Sequence, residues 1–173
     1  MSAWRSRGGA WVVLALVGLL LSGLLFPSRA DALTPGFDSS YAGESAFLTL
    51  QQGATGPFTV FFMNTGQTTW RKGTPTQVNL TVCLENKVSC NVRSPHADWN
   101  DGTWLSDRAY ATHTQVEVAP GAIGTFTFRV RAPVTAAGDA TYRFNGDLAL
   151  SSGEQLHPEG YYHEVYIPRT RGN

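Results

Sequence analysis

Apolar residues recur along this chain in short runs with the spacing of strands. Val78, Leu80, Val82 and Leu84 of QVNLTVCL fall on one face of an extended chain. Phe126, Phe128 and Val130 do the same in TFTFRVRA, with Thr127, Arg129 and Arg131 on the opposite face. In TYRFNGDLAL, Tyr142, Phe144, Leu148 and Leu150 share a face that Gly146 interrupts. A period of two marks a half-buried strand, because successive side chains point to opposite sides of the sheet. FTVFFM is apolar almost throughout, which predicts a central strand covered on both faces. FLTL, TQVEV and HEVYI are shorter candidates, and QQGATGP, NTGQ, RKGTPT, APGAIG, APVTAAGD and SSGE supply the turns between them. No helical period occurs beyond the N-terminal segment. The pattern predicts an all-β chain folded as an antiparallel β-sandwich. Residues 33–44 are assigned to a leader, 45–168 to the sandwich and 169–173 to a tail, with YAGESA, residues 41–46, leading into the first strand.

The stretch FFMNTGQTTW sets polar residues between sticky neighbours. Asn64-Thr65-Gly66-Gln67 reads as a turn whose Asn and Gly tolerate positive φ. Trp70 then lies on a return strand, where a large ring can fill the space between two sheets. Trp70, Phe126, Phe128 and Tyr142 are the expected core aromatics.

The first residues change the domain count. Arg5 and Arg7 precede an uncharged run from Gly8 to Pro27, which is followed by Ala30-Asp31-Ala32. A basic start, an apolar stretch and a small-residue site describe a secretory signal helix over residues 1–32, cleaved after Ala32. The apolar run also nears the roughly 20 residues that span a bilayer, so an uncleaved anchor is the alternative, and the only route to a membrane partner. Removing 32 of 173 residues leaves 141, enough for one domain with a real core.

Charge then excludes a class of partner. The chain has 13 basic and 13 acidic residues; without Arg5, Arg7, Arg29 and Asp31 the balance is 10 against 12. A slightly acidic chain without a basic patch does not point to nucleic acid. Cys83 and Cys90 form an even pair in an exported chain, which points to a disulfide, with two buried thiols as the alternative. A turn at Asn86-Lys87 would set the two cysteines opposite each other. That register puts Val88 and Val92 on the face opposite Val82 and Leu84, so a bulge or wider loop is expected.

FFMNTGQTTW and the later VEVAPGAIGTFTFRVRAPVTAAGDATYRF together resemble the four-tryptophan Ig-like domain, known from the centre of a selective-autophagy receptor and from exported bacterial proteins. The resemblance rests on Asn64, Gly66, Trp70, Val118, Pro120, Gly121, Phe126, Ala132, Pro133, Gly138 and Tyr142 in that order. It spans roughly residues 40–168. It implies an immunoglobulin-like sandwich and a recognition or spacer module without catalysis. The chain departs from the family in carrying NGDL where a late tryptophan is common, and in its insert CLENKVSCNVRSPHADWNDGTW.

A search for chemistry finds little. Gly-x-Ser-x-Gly and P-loop patterns are absent. HPEGYYHE brings together His157, Glu159, His163 and Glu164, residue types that suit zinc, although a plain surface loop explains them equally. DWNDG has calcium-like oxygens in the wrong spacing for an EF-hand, and reads better as a turn. No metal or cofactor is therefore expected. Asn79-Leu80-Thr81 is a glycosylation sequon inside a strand. Trp99, Trp104, Tyr161 and Tyr162 lie in loop-like contexts, SPHADWNDGTW and SSGEQLHPEGYY. They read either as plugs for the sandwich ends or as binding anchors on one shared surface, with His96 and His157 lending pH sensitivity. Three functions compete. The leading one is an exported, non-catalytic module recognising a protein or glycan at the cell surface. The others are a structural subunit of an envelope assembly and a small secreted metal-dependent hydrolase.

Overall fold

The computed structural model describes residues 34–169. The expected signal helix, its expected cleavage after Ala32 and the end of the tail lie outside the described residues. Within them, ten strands run in chain order: β1 (Ser39–Glu44), β2 (Leu48–Thr49), β3 (Thr55–Asn64), β4 (Trp70–Arg71), β5 (Val78–Cys83), β6 (Ala109–Thr112), β7 (Glu117–Val118), β8 (Ile123–Arg131), β9 (Ala140–Leu150) and β10 (Tyr161–Ile167). A single 3-10 turn, Ala97–Trp99, is the one helical element among the described residues. The all-β class is thus established. The strands form a three-stranded sheet, β1-β3-β8, a five-stranded sheet, β2-β10-β9-β5-β6, and the small pair β4-β7. The five-stranded sheet curls until β6 reaches β8, where His113 bridges to Phe126.

The core lies between the facing sides of the two larger sheets. Phe58 of β3 packs against Phe128 of β8 and Phe144 of β9, at centroid separations of 5.3 and 6.0 Å. Trp70, Phe126 and Phe128 are buried, whereas Tyr142 is only partly buried.

Several expectations are corrected. Within the segment assigned to the leader, whose structure the sequence leaves open, Ser39–Glu44 pairs with β3 as an edge strand. The sheets are not purely antiparallel, because β2 runs parallel to β10. This follows from the chain path: after β1 it crosses to the other sheet and runs alongside β10. The apolar run of β3 predicts cover on both faces, yet its burial alternates and Met63 is exposed. β5, which alternates in sequence, is buried at every position. Asn79 and Thr81 tolerate this because Gln77 donates to Asn79 Oδ1 at 2.8 Å and Thr81 donates to the Asp147 carbonyl at 2.9 Å.

The chain after Asn64 does not fold back on β3; Trp70 pairs with Val118 of β7. Asn64 is fully buried, and its amide donates to the carbonyls of Thr68 and Val118, both at 2.9 Å. Gly66 has no positive φ. It is required by close approach: a Cβ there would lie 2.6 Å from the Asp38 nitrogen and 2.7 Å from the Gly36 carbonyl.

Cys83 and Cys90 are disulfide-bonded and face each other as an antiparallel pair. No bulge is needed, because Val88 turns to solvent while Val92 packs on the core. The turn is closed by hydrogen bonds from Leu84 N to Ser89 O and from Lys87 N to Leu84 O, both 2.9 Å. Replacing both cysteines by alanine should cost about 2.5 kcal/mol in the chain-entropy account of so short a loop. A urea midpoint that does not move on this replacement would show that the turn holds itself.

Candidate functional site

Three of the four aromatic rings offered as anchors are buried. Trp99 is 2% exposed and packs on Tyr142 and Phe144, at 4.6 and 5.4 Å. Here β9 runs past the end of β5, which reaches only to Asn145. The ring stands where a neighbouring strand would otherwise be. Trp104 is 6% exposed, donates its indole N–H to the Arg129 carbonyl at 2.6 Å and meets Tyr110 edge-on at 4.8 Å. Tyr161 is 5% exposed and bonds His163. Only Tyr162 is part exposed. The two aromatic loops pack on opposite halves of β9: Trp99 on Tyr142 and Phe144, the other loop through Leu156 N to Leu148 O. One shared surface carrying all four rings is not formed. The physical reason is elementary: indole and phenol bury large apolar area wherever the sheet leaves room.

The polar loop residues are engaged in structure. Asn100 Oδ1 accepts from Gly102 N at 2.8 Å, and Asp101 Oδ1 accepts from the Thr103 amide and hydroxyl, at 3.1 and 2.6 Å. DWNDG is thus a pair of side-chain-capped turns. His157 pairs with Asp38 at 2.8 Å, while His163 lies buried elsewhere. Among the described residues, no three His, Cys, Asp or Glu side chains converge as metal ligands. Asn79 of the sequon is 7% exposed within β5, out of reach of a glycosylating enzyme in the folded state.

A concavity of about 500 Å³ lies between the disulfide turn and the turn at Gly153–Gln155, lined by Thr34, Pro35, Val88 and Ser89 and by none of the residues offered as anchors. Two others border β10. The smaller, about 210 Å³, opens between β1 and the start of β10 and is lined by Tyr41, Glu44, Glu159, Gly160, Tyr161 and Tyr162. The bulge between Tyr41 and Gly43 re-aims Glu44 toward it. Burial raises the carboxyls of Glu44 and Glu159, opposed for Glu44 by a hydrogen bond from Tyr41. Behind it, His163 Nε2 lies 3.2 Å from the Ser45 carbonyl and 3.5 Å from Ser45 Oγ. A carbonyl can only accept, so this bond puts the proton on Nε2 and leaves Nδ1 to accept from Tyr161. Ser45 Oγ itself accepts the Thr59 amide at 3.1 Å. In this tautomer Ser45 has no base, and the constellation lacks the geometry of an activated nucleophile.

The larger of the two that border β10 lies on the outer face of the five-stranded sheet. Glu85, His96, Thr141, Tyr142, Arg143, Asn145 and Glu164 line a groove of about 470 Å³. An adjoining hollow of about 360 Å³ extends it under Leu84, Asn86 and Pro95. That size fits small ligands, which occupy roughly 300–1,000 Å³, whereas the Tyr41 cleft falls short. The disulfide turn forms one wall and β9 and β10 form the floor.

Arg143 donates to Glu164 Oε1 through Nε at 3.0 Å and Nη2 at 2.6 Å, leaving Oε2 unengaged by that pair. Its guanidinium lies 4.3 Å from the centre of the Tyr162 ring, and Lys87 lies 5.0 Å from the same ring. His96 packs on Phe144 at 5.2 Å, and burial holds its pKa below the usual imidazole value, opposed by the charge of Asp98. Asn145 is 4% exposed, and its Oδ1 has no hydrogen-bond partner among the described residues. Its backbone carbonyl is held by Tyr110 OH at 3.0 Å.

Sequence reasoning missed Arg143 and Asn145, and named Glu164 only as a possible zinc ligand. They stand at outer-face positions of strands, where polar residues are the rule. The one available signal was Asn145-Gly146-Asp147, a polar break in an otherwise apolar strand.

Neither a protein-family profile nor a curated protein matches the chain. Among solved structures it is similar to AvmM, described as catalysing macrocyclization in alchivemycin A biosynthesis, with 10% identity and a TM-score of 0.34 over 81% of this chain and 93% of that one. A likeness that distant bears on neither fold nor activity.

Proposed function

We propose that the chain is an exported, non-catalytic recognition module with an immunoglobulin-like β-sandwich, acting in the cell envelope or outside the cell, and that it holds its partner in the groove beside β9. The basic-apolar-small N-terminus supports export, and a disulfide suits an oxidising compartment. The observation that carries the binding site is Asn145, a buried amide whose oxygen lacks a partner among the described residues and which faces an open polar groove. Buried polar groups are nearly always satisfied, and the exceptions call for an explanation. A ligand that completes the bond is one. The groove also has the attributes of a precise site: its floor is sheet, and its wall is fixed by a disulfide.

Immobilised wild-type protein should retain envelope material through this groove. The variant Arg143→Ala/Glu164→Ala removes one exposed and one half-buried side chain and should keep the fold, yet retain at least tenfold less. Equal retention by that variant, with loss in Tyr41→Ala, would move the site to the smaller cleft. Ordered self-assembly of the wild type at high concentration, with no retention at all, would instead favour a structural subunit.

A further inference from the structure

Building on the groove as a recognition site, we infer that its ligand is a neutral, polyhydroxylated molecule, a sugar residue presented by its hydroxyl edge. Three features of the groove lead there.

The first is charge. Arg143 is neutralised by Glu164. Glu85 stands on the wall two residues from Lys87, whose ammonium lies outside the lining, over the Tyr162 ring that Arg143 also covers, and burial lowers the pKa of His96. An anion would meet Glu85 and Glu164, and a cation would meet Arg143 in the groove and Lys87 at its margin. Neither is selected.

The second is the mixture of donors and acceptors. Asn145 lines the groove, with a buried Oδ1 that has no partner among the described residues beside the two donors of its own amide nitrogen. Glu164 Oε2 takes nothing from Arg143, because both guanidinium bonds go to Oε1. Arg143 Nη1 is left to donate. A hydroxyl donates one bond and accepts two, so neighbouring hydroxyls can satisfy such a set where a purely accepting or purely donating ligand cannot.

The third feature argues against a peptide. Extended peptides are recognised by adding a strand to a sheet edge, through backbone hydrogen bonds. This groove lies on a sheet face. β9 and β10 are paired with each other from Ala140–Ile167 to Gly146–Tyr161, and along the other edge of β9, where β5 stops at Asn145, Trp99 packs on Tyr142 and the His96 ring bonds the Arg143 backbone in place of a strand.

The test is a set of titrations of isotope-labelled protein followed by nuclear magnetic resonance. One arm uses neutral gluco-, galacto-, manno- and xylo-oligosaccharides, and the other uses uncharged tripeptides of similar size. The expected result is a saturable shift of the Asn145 side-chain amide and of the Arg143 and Glu164 backbone amides with at least one sugar series. In Asn145→Leu the affinity for that sugar should fall at least tenfold while the melting temperature does not drop, since the change removes an unsatisfied polar group. Should that variant misfold, Glu164→Gln, on the exposed side of the groove, should show a smaller loss in the same direction. Absence of a saturable shift with every sugar series overturns the inference. So does undiminished sugar binding by a folded Asn145→Leu. Shifts with the tripeptides alone overturn the sugar assignment while leaving the groove as the recognition site. Absence of response in both arms, together with undiminished envelope retention by the Arg143→Ala/Glu164→Ala variant, removes the site itself.

Discussion

Trp70→Ala is expected to lower the stability of the protein by about 3–5 kcal/mol, the range for truncating a buried tryptophan. The ring is fully buried. It lies beside Phe126 and His113, with centroids 6.4 Å from each. β8 carries a glycine at the point of contact: a Cβ on Gly124 would approach Trp70 Cζ3 to 2.9 Å. The strand backbone therefore lies flush on the indole, and it cannot collapse into the hole that alanine leaves. Indole Nε1 has no hydrogen-bond partner among the described residues, so the loss is one of packing alone. This separates two variants. Trp70→Phe keeps most of the apolar contact and discards an unsatisfied N–H, so it should recover more than half of the loss. The measurement is the urea midpoint at unchanged slope. An alanine variant as stable as the wild type would mean that the ring fills no structural space.

Periodicity reported the strands more faithfully than it reported their surroundings. TFTFRVRA alternates in the fold as it does in the sequence, because one face of β8 meets the core and the other meets water. β5 and β3 exchange their expected roles. Alternation records the chemistry of the side chains, not what covers them, and β5 is buried on both faces. Polar residues survive there because each finds a partner, as Thr81 does in the Asp147 carbonyl. β1 was not legible at all. SSYAGE has no apolar period, and the strand exists because the backbone of β3 offers a free edge. Local sequence cannot announce a pairing that a distant strand provides.

The candidate site was less legible still, for a related reason. Aromatics in polar loops attract attention as anchors, yet Trp99 and Trp104 complete the core where β5 ends early and β8 leaves room. The groove is made of residues unremarkable in sequence: a glutamate in a turn, an arginine and an asparagine two apart on one strand, a glutamate on the next. Their convergence depends on the register that sets Arg143 opposite Glu164 and Asn145 opposite Tyr162. A shift of one residue would turn all of them inward. Trp99 links the two levels, because its packing on Tyr142 and Phe144 supports the same stretch of β9 whose outer face carries Arg143 and Asn145.

Acidification should weaken the fold through His163. The ring is fully buried, stacked at 3.9 Å from Phe58, and burial lowers its pKa from 6.5 to about 4, against a weaker opposing bond to the Ser45 backbone. The sign follows from proton counts. Below pH 6.5 the unfolded chain takes up a proton that the folded ring refuses, so stability falls as the pH drops toward 4, and stays level below that. At neutral pH and above, the contribution is absent because both states are neutral. A difference of that size corresponds to about 3 kcal/mol lost between roughly pH 7 and pH 4. Asp147, Glu44 and Glu159 act in the opposite sense: burial raises their carboxyls, so the folded state binds protons more readily and gains on acidification through their folded values. The net loss in the wild type should therefore be smaller than the histidine alone dictates. His163→Gln isolates the effect of the imidazole. The glutamine side chain does not titrate, so this variant should be weaker than wild type near neutral pH, where it forfeits the Tyr161 and Phe58 contacts. It should nonetheless lose less stability on acidification, with the two urea midpoints converging as the pH nears the folded value of about 4. Parallel stability–pH curves for the two proteins would show that the imidazole titrates as it does in water and is not held neutral by the core.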